Sequence, residues 1–170
     1  MRAAASAKGK GGLCFAFWLW HDPLMQTVIF DIDGTLADIE HRRGYLDGNR
    51  PDWARFNAAM EEDTPNGPIV DLYKTLWASG VYDLQILTGR SERFRKVTET
   101  WLTWNEIAFN RVLMRPLKDY RADNIIKGEI LEQLRSEGRD IAFAVDDRQQ
   151  VVDMWRANGV TCLQCAPGDF

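Results

Sequence analysis

Residues 27–36 have the sequence TVIFDIDGTL, and this stretch decides the fold. Four β-prone residues run without a polar break into two carboxylates, Asp31 and Asp33, and then into Gly34 and Thr35. A short apolar run bounded by turn residues is typical of a strand buried on both faces of a parallel sheet. Acidic side chains at its end are costly to bury unless a cation or a reaction uses them. An ordinary polar exit into a loop is the alternative, and the partners found further along the chain argue against it.

The rest of the chain alternates between predicted strands and helices. Apolar β-prone runs predict further strands at 84–87, 111–114, 141–145 and 160–165. Helical spacing of apolar residues predicts helices over 53–60, between Asn66 and Gly80, after Ser91 as N-cap, over 123–137 and over 149–158. This alternation predicts an α/β fold with a mainly parallel sheet flanked by helices. Residues 37–65 mix polar and aromatic side chains, and we interpret them as a small cap-like insert after the first strand.

Two of the predicted helices carry aromatic side chains that we assign to the core. The first is expected to pack Trp53, Phe56 and Met60. The helix after Ser91 carries a stripe formed by Phe94, Val97, Trp101 and Trp104. Residues three and four apart lie on one face of a helix, so each set predicts a buried face.

Composition limits the classes of function. The chain has 170 residues, 27% of them charged, and a formal net charge of −4, which suits one globular domain and argues against a sequence-blind nucleic-acid coat. Between Arg90 and Lys127, however, nine Lys and Arg residues face five Asp and Glu residues, and this local excess suits an anionic substrate. Arg93, Arg95 and Lys96 are candidate contacts to a strand backbone, with a solvated helix face as the alternative. Tyr45 and Trp53 are candidates for stacking on a terminal base, although packing is commoner.

The N-terminal residues do not predict a membrane segment. Residues 1–12 are rich in Ala, Gly and Lys, and the apolar run at 13–20 is too short to span a bilayer, which needs about 20 residues. We interpret residues 1–24 as a dispensable extension that precedes a domain over residues 25–170. Three cysteines do not suggest a disulfide framework, and the pair Cys162 and Cys165 suits packing in a reducing, cytoplasmic protein.

Three predicted strands end in polar clusters. These are Asp31 with Asp33, then Thr88-Gly89-Arg90, and then Asp146-Asp147. The carboxyl ends of strands in an open α/β sheet are where ligands bind, so we expect these clusters to surround one crevice, joined by the ammonium group of Lys127. Hard oxygen ligands without His or Cys favour Mg²⁺ together with a substrate phosphate.

This set of residues resembles the haloacid dehalogenase (HAD) superfamily, whose four motifs are matched in order by residues 31–35, Thr88, Lys127 and Asp146-Asp147. The resemblance implies a Rossmann-like parallel sheet and a phosphatase. It implies that Asp31 is the nucleophile and that Asp33 is the general acid and then the general base. Asp31, Asp33 through its backbone carbonyl, Asp146 and Asp147 would hold Mg²⁺. Independently of this resemblance, the charge of Lys127 would offset that of the substrate, and the hydroxyl of Thr88 would donate a hydrogen bond to a phosphoryl oxygen. We assign Gly34, Thr35 and Gly89 to substrate binding, and expect N–H groups at Gly34 to approach the same oxygens.

A closer resemblance is to the 3′-phosphatase domain of the bacteriophage polynucleotide kinase/phosphatase family. It rests on Leu36-Ala37, Thr88-Gly89-Arg90 and residues 119–127, 146–156 and 168–170. It implies that two arginines serve the site: Arg90 and either Arg42 or Arg43. It also implies that Asp123 positions Lys127, four residues later on one helix face. No G-x-x-x-x-G-K-[ST] motif occurs, so the kinase half of that enzyme is absent from this sequence.

The main hypothesis is therefore a Mg²⁺-dependent phosphatase that removes 3′-phosphates from polynucleotide ends through an aspartyl-phosphate. A 5′(3′)-nucleotidase or another small phosphomonoesterase is the alternative within the same chemistry. A catalytically silent module that binds nucleic-acid ends is the alternative from another class. The implied partners are a nucleic-acid 3′-phosphate end or a nucleotide, and a separate kinase or ligase.

Overall fold

A computed structural model describes residues 25–168 of the chain. The predicted extension at 1–24 lies outside these residues, as do Asp169 and Phe170, so the division of the chain into an extension and a domain stays a prediction.

The core is one five-stranded sheet in which every neighbouring pair of strands is parallel. Strand β1 (Thr27–Phe30) lies at its centre, between β4 (Asp83–Ser91) and β6 (Ile141–Arg148). The edges are β5 (Val112–Arg115), beside β4, and β7 (Thr161–Gly168), beside β6. All four residues of β1 are buried, as a continuous apolar run predicts for a central parallel strand. The predicted α/β fold is confirmed.

Helices cover both faces of the sheet because alternate side chains of β1 point to opposite sides. Val28 and Phe30 pack in one hydrophobic cluster with residues of α3 (Gly67–Ser79) and α4 (Arg95–Trp104). Ile29 packs in a second cluster with residues of α5 (Asp123–Ser136) and α6 (Gln149–Ala157). The result is a three-layer arrangement with the carboxyl ends of the strands along one edge.

The segment after β1 is closed by a short antiparallel ladder. Strands β2 (Ala37–Asp38) and β3 (Thr64–Pro65) pair Ala37 with Pro65 and Asp38 with Thr64. Between them lie α1 (Glu40–Arg43), α2 (Trp53–Ala58) and two short 3₁₀ turns, at Gly44–Leu46 and Ala59–Glu62. This ladder holds the start and the end of the segment side by side next to the end of β1.

Three local predictions were wrong. Trp104 is 73% exposed, because the buried face of α4 runs through Thr98, Trp101 and Leu102 and leaves the last residue of the helix on its flank. Trp53 is 51% exposed, although its ring meets that of Phe56 edge to face. Ser91 precedes a 3₁₀ turn, Glu92–Phe94, and its side chain makes no cap hydrogen bond; α4 begins only after that turn.

Within residues 25–168, no helix combines the length and the apolar character that a membrane span requires.

Candidate active site

The carboxyl ends of β1, β4 and β6 bring the predicted polar residues into one buried site. Asp31 directly follows β1, and its backbone N–H donates to the carbonyl of Val145, 3.0 Å away in β6. This bond places Asp31 next to Asp146 and Asp147, which belong to the end of β6. All three carboxylate residues are at most 4% exposed.

Lys127 enters this cluster from the first half of α5. Its ammonium group donates to Asp31 Oδ1 at 2.7 Å and to Asp146 Oδ2 at 2.8 Å, and it lies 3.5 Å from Asp123 Oδ2. Trp155 Nε1 also lies 3.4 Å from Asp146 Oδ2. Lys127 and Asp31 are 96 positions apart in sequence, so the fold itself assembles this contact.

The cluster fits a divalent cation. Asp31, Asp146 and Asp147 each offer a carboxylate oxygen, and these oxygens lie within 4.8 Å of one another. Among residues 25–168, Lys127 is the only cation that contacts the three carboxylates, which leaves two negative charges in excess when all three are ionised. An all-oxygen donor set of this charge matches the preference of Mg²⁺.

The excess of negative charge also shows in the ionisation of the site. Burial and the neighbouring charges of Asp146 and Asp147 raise the pKa of Asp31 well above its usual value. Burial and the charge of Asp146 raise the pKa of Asp147 to about 7. Burial alone would lower the pKa of Lys127, but the charges of Asp146, Asp31 and Asp123 outweigh it and hold that pKa well above its usual value. Lys127 is therefore charged. Among residues 25–168, no second cation contacts the three carboxylates.

This imbalance predicts how stability depends on pH and metal. Because the pKa of Asp147 is about 7 in the folded protein and about 3.9 when unfolded, the metal-free protein loses stability as pH rises between these values. We expect the melting temperature without metal to fall from about pH 5 to about pH 8, and Mg²⁺ to raise it by several degrees mainly at the higher pH. The Asp147→Asn variant should show a smaller fall. Thermal unfolding in EDTA and in MgCl₂ measures this.

The matched control for this experiment is Asp153→Asn, which changes an exposed carboxylate on α6. It should keep the wild-type pH dependence. A wild-type dependence in Asp147→Asn as well would contradict the assignment of the raised pKa to that residue.

A second ionic cluster lies beside the first and contains Asp33. Arg90 donates from Nε to both oxygens of Asp33 at 3.0 Å and from Nη2 to Oδ1 at 2.6 Å. Arg42 donates from Nη2 to the same oxygen at 2.5 Å. Both guanidiniums also bind Asp63, at 2.6 Å from Arg42 Nε and at 2.7 Å from Arg90 Nη2. The carboxylates of Asp33 and Asp63 thus bind both arginines. The side chains of Asp63 and Arg42 are fully buried.

The two arginines control Asp33. Burial alone would raise the pKa of Asp33, but the charges and hydrogen bonds of Arg90 and Arg42 outweigh it and hold that pKa well below its usual range. Asp33 is therefore ionised before a substrate arrives. Arg90 Nη1 is buried and donates to no acceptor among the described residues. A buried donor without a partner is costly, so this atom is suited to receive an oxygen of a bound anion.

The structure separates the two arginine candidates that the sequence left open. Arg42 lies in the Asp33 cluster and is fully buried, and its guanidinium also covers the ring of Phe56 at 4.1 Å. Arg43 lies outside the cluster, at the surface of α1, where Nη1 donates to Glu40 Oε1 at 2.6 Å. Of the two, Arg42 alone is brought to the predicted site.

The turn after β1 is held by its own backbone hydrogen bonds. Gly34 has a φ of +85°, and an added Cβ would lie 2.2 Å from Asp147 Oδ2, so only glycine fits. Its N–H donates to the carbonyl of Ala37, and the N–H of Thr35 donates to that of Ile32. The turn itself therefore uses both N–H groups here, and the expected approach of N–H groups at Gly34 to a phosphate stays a prediction. Thr35 is buried, and its hydroxyl lies 3.5 Å from Cys165 Sγ.

The end of β4 is tied to the start of α5. Thr88 is buried, and its hydroxyl oxygen accepts from the N–H of Arg90 at 3.2 Å. A Cβ on Gly89 would lie 2.5 Å from Asp123 Oδ1, so this glycine allows Asp123 to approach Lys127. Arg115, at the end of β5, donates to the carbonyl of Gly89 at 2.8 Å and to Asp123 Oδ1 at 3.1 Å.

Asp63 and Arg115 are the site residues that sequence reasoning missed. Asp63 follows Glu61 and Glu62, and in sequence these three residues resemble a solvated acidic run. Only the pairing of β2 with β3 turns it inward. Arg115 is one of the nine basic residues counted above, and its only distinguishing signal is its position at the end of a predicted strand.

Known structures share this fold. A haloacid dehalogenase-like hydrolase from Streptococcus pneumoniae has a TM-score of 0.58 at 18% identity, with 82% of this chain and 84% of that chain covered. A HAD family enzyme from Bacteroides thetaiotaomicron, in complex with magnesium and inorganic phosphate, has a TM-score of 0.53 at 14% identity, with 86% and 96% covered. These likenesses confirm the HAD-like fold expected from the sequence.

More similar chains occur in two structures of one assembly. A chain of the Pnkp1/Rnl/Hen1 RNA repair complex is 35% identical, with a TM-score of 0.73 and with 88% of this chain and 45% of that chain covered. A chain in a second Pnkp1/Rnl/Hen1 structure is also 35% identical, with a TM-score of 0.71 and with 88% and 49% covered. The present chain thus spans less than half the length of these relatives.

The fold and the carboxylate–lysine site are of the HAD type. A family model described as the polynucleotide kinase PNKP phosphatase domain matches residues 25–170. The chain belongs to this family, as its resemblance in sequence predicted.

Proposed function

We propose that this chain is a Mg²⁺-dependent phosphatase that removes 3′-phosphates from polynucleotide ends through an aspartyl-phosphate on Asp31. The observation that carries the proposal is the contact of Lys127 with both Asp31 and Asp146. This contact places a carboxylate, an ammonium group and a candidate metal site around one point.

In the first step, a carboxylate oxygen of Asp31 attacks phosphorus, and the bond from phosphorus to the 3′ oxygen breaks. The 3′ oxygen leaves with a proton from Asp33. Lys127 and the buried Nη1 donor of Arg90 offset the negative charge of the phosphoryl oxygens. Mg²⁺, which Asp31, Asp146, Asp147 and the carbonyl of Asp33 would hold, supplies the charge neutralisation that lets two anions approach.

In the second step, Asp33 takes a proton from water, the water oxygen attacks phosphorus, and the Asp31 carboxylate and inorganic phosphate are released. The ionised state of Asp33 in the resting site suits this role as a base. A bound phosphate accepts hydrogen bonds from Arg90, and the interaction of Arg90 with Asp33 becomes weaker. The pKa of Asp33 then rises toward the range that the acid step needs.

A polynucleotide substrate is supported by two observations. The chains at 35% identity belong to an RNA repair complex, which favours RNA ends and a separate ligase or kinase as the neighbouring activities. The local excess of basic residues between Arg90 and Lys127 suits an anionic polymer.

Phosphate release from a panel of substrates tests the proposal. We expect release from 3′-phosphorylated RNA or DNA oligonucleotides in MgCl₂, and its loss in EDTA and in Asp31→Asn. The panel includes 5′-phosphorylated oligonucleotides, 2′,3′-cyclic phosphates and nucleoside 3′- and 5′-monophosphates. A preference for mononucleotides would establish the nucleotidase alternative, and binding without release from any substrate would establish the silent module.

A further inference from the structure

We propose that the exposed side of α4 carries a groove for the single-stranded segment that precedes the reacting 3′ end; this inference rests on the proposed function. The groove consists of two hollows with volumes of about 790 and 430 Å³. Both are lined by the same four residues: Arg93, Lys96, Thr100 and Trp104.

The groove adjoins the site. Trp101 lines the smaller hollow, and its Nε1 donates to the backbone carbonyl of Asp63 at 2.7 Å. The carboxylate of Asp63 binds Arg90, which binds Asp33. Arg93 is three residues after Arg90, so their Cα atoms are at most about 11 Å apart. A strand whose 3′ end lies at Asp31 therefore meets this groove within its last few nucleotides.

The charges that remain unpaired in the groove are mainly basic. Arg95 is neutralised by Glu92 and Glu99, at 2.5 and 2.9 Å, and is not available to a strand. Lys96 is exposed and has no ion-pair partner among residues 25–168. Arg93 is also exposed, and its guanidinium lies over the ring of Phe94 at 4.4 Å without an ion pair in the same part of the chain. Glu61 is the acidic side chain that lines the smaller hollow.

Trp104 supplies the aromatic surface. It is 73% exposed although Thr98, Trp101 and Leu102 of the same helix are buried, so its indole face is available to both hollows. Bases of any sequence stack on such a ring, while cations contact the phosphates between them. One aromatic side chain beside two unpaired cations is the combination that a single strand requires.

The experiment measures binding and turnover separately. Binding of a labelled oligonucleotide of about ten nucleotides with a 3′-phosphate, a length within the usual single-strand site sizes, is measured on the Asp31→Asn protein. Adding Trp104→Ala should weaken binding about 10-fold without changing its salt dependence. Adding Lys96→Ala should lower the slope of log K against log salt by about 0.7, because one phosphate contact is lost. The controls are Leu72→Ala and Lys74→Ala, which change an exposed apolar residue and a partly exposed lysine on α3, outside the groove, and should change neither binding nor its salt dependence.

In the active protein, Trp104→Ala should raise KM for the oligonucleotide about 10-fold and leave kcat unchanged. The kinetics on a nucleoside 3′-monophosphate should stay at wild-type values, because this substrate does not reach the groove. Unchanged strand binding in Trp104→Ala and Lys96→Ala at every salt concentration would overturn the inference, as would an equal loss on both substrates. If no 3′-phosphate is released but strand binding still depends on Trp104, the proposed function fails and the groove stands.

Discussion

Replacing Lys127 with methionine is expected to reduce phosphatase activity at least about 1,000-fold and to destabilise the protein. Methionine keeps the length of the side chain but removes the charge that contacts Asp31 and Asp146. Removing one partner of a buried ion pair costs about 3–5 kcal/mol, because the remaining charges have no compensation. The pKa of Asp31, already raised by burial and by its acidic neighbours, would rise further, and a protonated carboxyl is a poor nucleophile.

The loss of stability in Lys127→Met should be smaller at about pH 5 than at about pH 8, since the carboxylates become neutral as pH falls. The measurements are kcat with a 3′-phosphorylated oligonucleotide, and thermal unfolding at both pH values. Lys74→Met, at a partly exposed lysine on α3, is the control and should change neither. More than a tenth of wild-type activity in Lys127→Met would contradict the role of Lys127.

Replacing Asp63 with asparagine is expected to reduce activity about 100-fold on a nucleoside 3′-phosphate. The carboxylate of Asp63 accepts from both Arg42 and Arg90, whereas the amide would turn an NH₂ group toward one of these donors. The arginines that fix Asp33 would then shift, and a displacement of about 1 Å at a catalytic group costs about 100-fold. Asp63 touches no reacting atom in this account; it is a positioning residue.

The choice of leaving group distinguishes this role from a purely structural one. p-Nitrophenolate leaves without a proton, so p-nitrophenyl phosphate needs no help from Asp33 in the first step. We expect Asp63→Asn to slow the first step, measured as release of the leaving group in a single turnover, much less on this substrate than on the nucleoside 3′-phosphate. Asp52→Asn, an exposed carboxylate in the same segment, is the matched control. Equal losses on both substrates, together with a lower melting temperature, would show that Asp63 serves only stability.

The central part of the fold could be predicted from local sequence. The apolar run before Asp31 and the alternation of strands with helices require a parallel sheet, and a parallel sheet places its carboxyl ends at one edge. The residues at those ends, Asp31, Thr88 and Asp146, were therefore expected to lie close together. Lys127 was expected to join them from the start of a predicted helix, and α5 brings it to Asp31 and Asp146.

The other features of the fold and the site depend on tertiary contacts, which the periodicity of the sequence does not predict. Arg42 and Arg43 are adjacent in sequence and identical in chemistry, and only the folded structure shows that Arg42 faces Asp33. The ladder between β2 and β3 turns Asp63 inward. Trp104 fits the helical spacing of the core, but the buried face of α4 is offset toward Thr98 and Leu102.

The most direct test of the mechanism is to trap the covalent intermediate. A substrate with a radiolabelled 3′-phosphate is mixed with the wild-type protein in MgCl₂ and quenched in acid within the first turnover. We predict acid-stable label on the protein, and borohydride reduction should convert Asp31 into homoserine in the peptide that contains residues 27–36. Release of phosphate without labelled protein, or label on another residue, would contradict the account.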